Sequence, residues 1–162
     1  MNHSALPPVR SRTFFFALLL SIIWAPASDA RTTIIDDSGT TTLEPTVRLR
    51  WKSVAPPRSG ANNQMVGLTT VRVHLNVLRW LKRSGRIYLA LPAQPPGPLT
   101  ATWTAEGRLA AGQVHSGTRT LIYSGPITAP FLDDVLRFRF TVDGSVVRRP
   151  FPVTFRFEFD ED

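Results

Sequence analysis

Two histidines, His74 and His115, are the groups in the body of this chain best suited to moving protons near neutral pH. His74 sits within a run of alternating apolar residues, and His115 precedes Ser116-Gly117. Neither has a carboxylate or a nucleophile at a motif spacing. Ser84-Gly85 and Ser116-Gly117 lack the flanking glycines of a nucleophile elbow. Asp133 and Asp134 are adjacent, and neighbours on a strand point to opposite faces. They therefore suit capping better than the facing carboxyls of a glycosidase. Asp36-Asp37 and the acidic residues 160–162 lack the spaced oxygens and turn glycine of a calcium loop. With no cysteine there is no disulfide framework, thiolate metal site or cysteine nucleophile. No glycine-rich phosphate loop is present. The sequence predicts no catalytic residue, no metal site and no cofactor, and hence a protein that is not an enzyme.

What remains is chemistry of binding. Arg48, Arg50, Lys52, Arg72, Arg137, Arg139 and Arg156 all fall on the polar positions of alternating segments. Where such segments are neighbours, they form a basic sheet face able to fork onto phosphate or carboxylate. The plainer alternative is a solvated face with weak cross-strand pairs, for example to Glu158. Trp51 and Trp103 are in phase with aliphatic neighbours and are expected in the core. Trp80 lies off the phase of Val71, Val73, Leu75 and Val77, and is the expected exposed aromatic of a ligand surface.

The elements that must position these residues are strands. Val47, Leu49 and Trp51 alternate with Arg48, Arg50 and Lys52, a period of two. Residues 54–67 read as a loop rich in Pro, Gly and Asn. Residues 68–81 form the longest ordered run, and its phase slip at Leu78 predicts a bulge or a passage under a second layer; a helix over 77–82 is disfavoured by the β-branched content upstream. Residues 86–91 and 99–106 are strands, separated by the proline-rich loop 92–98. Residues 113–115 and 118–124 are expected to form a hairpin. Residues 131–136 hold at most a short turn. Leu136, Phe138, Phe140 and Val142 alternate up to Asp143-Gly144, a strong hairpin signal. Phe151, Val153, Phe155 and Phe157 continue the pattern to Phe159. Phe138, Phe140, Phe151, Val153, Phe155 and Phe157 are therefore the expected core of a final hairpin. No amphipathic helix survives. The fold class is all-β: a single Ig-like antiparallel β-sandwich of about 7–8 strands.

Residues 1–30 differ in composition. Arg10 and Arg12 precede an eleven-residue run, 14–24, whose only polar member is Ser21, and small residues follow up to Ala30. That is the layout of a secretory signal, with cleavage expected after Ala30 or Ala27. Such a run rises about 16 Å as a helix, too short to span a membrane. The expected organisation is a signal peptide at 1–30, a flexible N-terminal segment at 31–45 and a β-sandwich domain at 46–162. The mature form carries 17 basic residues, 15 of them Arg, against 11 acidic ones. Export to the periplasm or cell surface turns that charge away from nucleic acid and towards anionic partners of the envelope.

The strand at 136–142, the Asp143-Gly144 turn and the alternating 151–159, together with an exported precursor, resemble fimbrial subunits of the chaperone–usher type. The resemblance covers about half of the mature chain. It implies an Ig-like sandwich lacking one strand, completed by an extended segment of a partner, and it implies other envelope subunits and a periplasmic chaperone as partners. The lead-in 31–45 departs from it, offering only Ile34, Ile35 and Leu43 as large apolar residues. Two other readings stand beside it: a binding module for an anionic glycan or lipid A-type ligand, and an eight-stranded outer-membrane barrel with a polar lumen.

Overall fold

Alternating apolar residues pair into two stacked antiparallel sheets. A computed structural model of the chain describes residues 32–53, 63–93 and 97–162, so the expected signal segment lies outside the described residues, as do parts of the loops 54–67 and 92–98. The strands are β1 (Thr32–Ile34), β2 (Thr41–Thr42), β3 (Arg50–Trp51), β4 (Gln64–Asn76), β5 (Ser84–Leu91), β6 (Leu99–Ala105), β7 (Gly112–His115), β8 (Thr118–Pro126), β9 (Phe131–Asp143) and β10 (Arg156–Glu161). One sheet runs β1-β10-β5-β8. The other runs β2-β4-β9-β6-β7, with β3 also on β4. The two sheets do not close on each other, which removes the barrel alternative.

The core lies between the sheets. Val73 and Leu75 of β4, Ile87, Leu89 and Leu91 of β5, Leu136, Phe138, Phe140 and Val142 of β9, and Phe157 and Phe159 of β10 are all buried. The longest pairing is β4 with β9, thirteen residues in register from Gln64↔Asp143 to Asn76↔Phe131. Residues 131–136, expected as no more than a turn, are the first half of β9.

Several expectations need correction. β4 starts at Gln64, four residues before the expected run, and ends at Asn76 without a bulge. The slip in phase is a 3₁₀ turn, Leu78–Trp80, which swings Trp80 inward; the irregular register lies elsewhere, between Ile87 and Tyr88. Residues 113–115 and 118–124 are not a hairpin. β7 pairs with β6 and β8 with β5, so the turn at Gly117 (φ 82°) carries the chain from one sheet to the other. Asp143-Gly144 likewise starts a crossing rather than a hairpin, and neither residue takes positive φ. Gly144 is needed there for a different reason: a Cβ would lie 2.3 Å from the Trp51 ring, which rests on that turn. Residues 32–45 are built into the sandwich. β1 pairs with β10, Asp36 bridges Asn76, and β2 pairs with β4.

Candidate functional site: an open cleft and two charged faces

The edges of the two sheets part between residues 45–49 and 147–155. Of the expected strand 46–52, Arg50 and Trp51 form the ladder with β4, while Val47 and Leu49 lay their side chains over Gly67 of β4. The even-numbered residues of β4 turn their backbone groups to that edge. The Gln64 carbonyl accepts from Lys52, and the Thr70 carbonyl accepts from Leu43. Leu68 lies between them, and no backbone group among the described residues meets its edge-facing N–H and C=O. Across the gap, the expected final strand begins only at Arg156. The ladder ends because its partner β5 ends at Leu91, followed by Pro92, and Pro150 and Pro152 further upstream have no N–H to give. Burial still alternates back to Phe151, so the chain is extended there.

Between these two stretches opens a cavity of about 940 Å³. Val71, Phe138 and Phe140 line it from one sheet, Leu89 and Phe157 from the other. Val47, Leu49, Val153 and Phe155 form its walls, and Arg148, Arg149, Asp37 and Glu44 stand among its polar lining. Phe155 stacks on Phe138 at 4.9 Å and on Phe140 at 5.9 Å between centroids. Of the six residues expected in the core of a final hairpin, Phe138, Phe140 and Phe157 are buried, while Phe151, Val153 and Phe155 are half-buried and line this cleft. An apolar cavity of this size, open at one side, can receive alternate side chains of an extended segment or one small molecule.

The basic residues divide between the sheets. Arg50, Arg72, Arg137 and Arg139 are exposed on the outer side of the β4–β9 sheet, through β3, β4 and β9. Lys52 is exposed at the same edge and bonds Gln64, and Arg48 is exposed on the segment that leads into β3. Arg156 belongs to the other sheet, opposite Ala90, and takes no part in that face. On its own sheet three other arginines are paired. Arg119 donates to Glu158 Oε2 at 3.2 Å and to Asp160 Oδ2 at 2.9 Å, Arg83 pairs with Glu161, and Arg86 pairs with Asp162. Burial pushes the Asp160 carboxyl up, but hydrogen bonds from Arg119 and Thr32 and the charges of Arg119 and Arg86 outweigh it and hold its pKa below the ordinary value. The Arg119 pKa is raised, chiefly by its hydrogen bond to Asp160.

The tryptophans exchange roles. Trp80 is 4% exposed, stacked on Phe159 at 4.4 Å, with the Arg79 guanidinium over its other side. It is core and presents no ligand surface. Trp51, expected in the core, is 43% exposed because β3 is a two-residue edge strand. Trp103 is buried as expected, and its indole N–H donates to the Ala110 carbonyl.

One pair was invisible in the sequence. His74 Nδ1 lies 2.6 Å from Asp133 Oδ1, opposite each other across β4 and β9, and the ring stacks on Phe131. Fifty-nine residues separate them, so only the register reveals them. No described residue hydrogen-bonds the other ring nitrogen, so this is a cross-strand pair and not a relay to a nucleophile. Asp134 points inward and accepts from the backbone N–H groups of Glu106, Gly107, Leu109 and Val135, which fixes the β6–β7 connection. No cluster of three or more metal-ligating side chains occurs among the described residues. No protein-family model matches the chain, and neither the curated proteins nor the solved structures include a significant match to it.

Proposed function

We propose that this chain is a non-catalytic, exported protein of the cell envelope, a fimbrial-type structural or accessory subunit that acts by accepting an extended segment of a partner protein. The observation that carries this reading is the cleft between residues 45–49 and 147–155, which leaves an apolar cavity bounded by extended chain on both sides. Strand addition needs backbone groups to pair with and pockets for alternate side chains. Leu68 on β4 offers the first, and the walls of Val47, Leu49, Val153 and Phe155 offer the second. β1 already covers the far end of β10, so the incoming segment would lie beside 147–155, ahead of the first residue of β10.

The test is purification of the exported protein alone, followed by size-exclusion chromatography, thermal melting and hydrogen exchange with and without a peptide of alternating apolar residues. The expected result is a protein that aggregates or melts broadly alone, and whose amides near Leu68 and Phe155 gain protection with the peptide or a periplasmic chaperone. A sharp, cooperatively melting monomer indifferent to both would overturn the reading. Sequencing of the exported N-terminus checks the rest: retained Met1 would remove export by a cleaved signal.

A further inference from the structure

The two outer faces of the sandwich treat their arginines differently. On the β10–β5–β8 sheet, Arg83, Arg86 and Arg119 each meet a carboxylate, and Arg156 meets none among the described residues. On the β4–β9–β6 sheet, Arg50, Arg72 and Arg139 meet none among the described residues, and Arg137 shares Glu106 alone. The register places these four cations. Arg137 and Arg139 are two apart on β9, about 6.7 Å along the strand. Arg72 lies on β4 opposite Val135, one row beyond Arg137 and one strand over, which is about 8 Å away. Arg50 stands opposite Val66, beyond the other end of the row. Arg72, Arg137 and Arg139 thus follow one another along the strand direction at steps of about 7–8 Å, and Arg50 lies about 12 Å further on.

Their neighbours are hydroxyls. Thr70 and Thr104 flank Arg137, Thr102 flanks Arg139, and Thr141 and Thr100 lie opposite each other in the next row. On this outer face the rows from Val66 to Val135 carry no Trp, Tyr or Phe, and the imidazole at the end of one row, His115 on β7, is held between Thr100 and Gln113, so little is provided for stacking nucleic-acid bases. Leu68 is the single large exposed apolar residue within them, too little to enter a bilayer. We infer that the outer face of the β4–β9–β6 sheet binds an acidic polysaccharide lying along the strands, its anionic groups on Arg72, Arg137 and Arg139 and its hydroxyls on the threonines. Guanidinium forks suit sulfate and carboxylate groups, and a flat open face suits a linear polymer. This surface faces away from the inter-sheet cleft, so it does not depend on what the cleft receives.

The probe is heparin, with neutral dextran as control, titrated against the full exported chain at several salt concentrations. The variant Arg72→Gln/Arg137→Gln/Arg139→Gln removes three exposed charges. A second variant, Lys82→Gln/Arg108→Gln/Arg156→Gln, removes three elsewhere and holds net charge equal. Circular dichroism verifies that both remain folded. The face variant is expected to lose at least about tenfold in heparin affinity, and its log-affinity against log-salt slope to fall by about two units, three charges at about 0.7 each. The second variant is expected to keep wild-type binding to within about twofold. Equal losses in both variants would mean that net charge alone attracts heparin, and would overturn the proposal. So would no heparin binding at 0.1 M salt, or equally tight binding to duplex DNA or anionic vesicles at the same salt.

Discussion

Asp160→Asn removes one charge and almost no volume from the sheet that carries the C-terminal strand. Asp160 is 5% exposed and joins three strands: its carboxylate accepts from Arg119 on β8 at 2.9 and 3.2 Å and from Thr32 on β1 at 2.7 Å. Breaking a fully buried ion pair costs about 3–5 kcal/mol. Arg119 is 39% exposed and keeps Glu158, so water and the second acid screen part of that loss. The expected cost is about 2 kcal/mol at pH 7, a fall in Tm of about 8 °C for a domain of this size. The pH dependence is the sharper test. The folded pKa of Asp160 is depressed, so its contribution is present above the unfolded value of about 3.9 and disappears as pH falls through the folded value. A protonated Asp160 resembles the asparagine, so the two proteins should differ fully from pH 5 to 8, and the difference should shrink as pH falls below about 4 and vanish once pH is below the depressed folded value. Urea unfolding at pH 7, 5, 4 and 3 would measure this. A difference that is absent at pH 7, or that persists unchanged at pH 3, would refute the reasoning, because the charge would then not be what Asp160 contributes.

Two further substitutions test the packing. Trp80→Ala should cost about 3–5 kcal/mol in urea unfolding, since it empties a site beneath Phe159; a surface aromatic would cost well under 1. Gly85→Ala places a Cβ 2.3 Å from the Phe159 ring and 2.6 Å from the Asp160 carbonyl, and Phe159 is fully buried with no room to retreat. The expected cost is about 3 kcal/mol, seen as a urea midpoint lower by about 1.5 M, and an unchanged midpoint would mean that β5 and β10 pack less closely than described.

The inward faces of β4, β5, β6, β9 and β10 were legible because alternation is a local property. Val73, Leu89, Ala101, Phe140 and Phe157 are buried where their phase placed them. Sheet membership was not legible, because alternation says which side chains turn inward and not which sheet they leave. The turns at Gly117 and Asp143-Gly144 both read as hairpins and are both crossings. The same limit put Arg156 on a face it does not share with Arg137, and hid His74 from Asp133. Trp80 failed differently: one 3₁₀ turn after Asn76 reverses the phase, and a short apolar run carries no signal that separates such a turn from a slipped strand. The cleft itself was half legible. Pro150 and Pro152 were visible, but five apolar residues in unbroken alternation, Phe151 to Phe159, outweighed them in the reading of 151–159 as a regular strand.

Those prolines bear on why an open cleft would be tolerable. An unpaired sheet edge is a template for any extended chain, and proteins blunt such edges with proline, charge or short strands. Pro45 stands at the start of one side of this cleft, and Pro150 and Pro152 on the other, with Arg148 and Arg149 beside them. Each proline removes a donor that an arbitrary strand would use. What remains for recognition is the spacing of the apolar walls, where Phe155 stacks against Phe138 and Phe140 and Val47 and Leu49 face it. A segment with apolar residues in the matching phase fills those positions, and one shifted by a single residue turns its polar side chains into them. On the proposed reading, then, side-chain register rather than backbone pairing selects the partner. A peptide shifted by one residue should lose most of the protection that its in-phase counterpart confers.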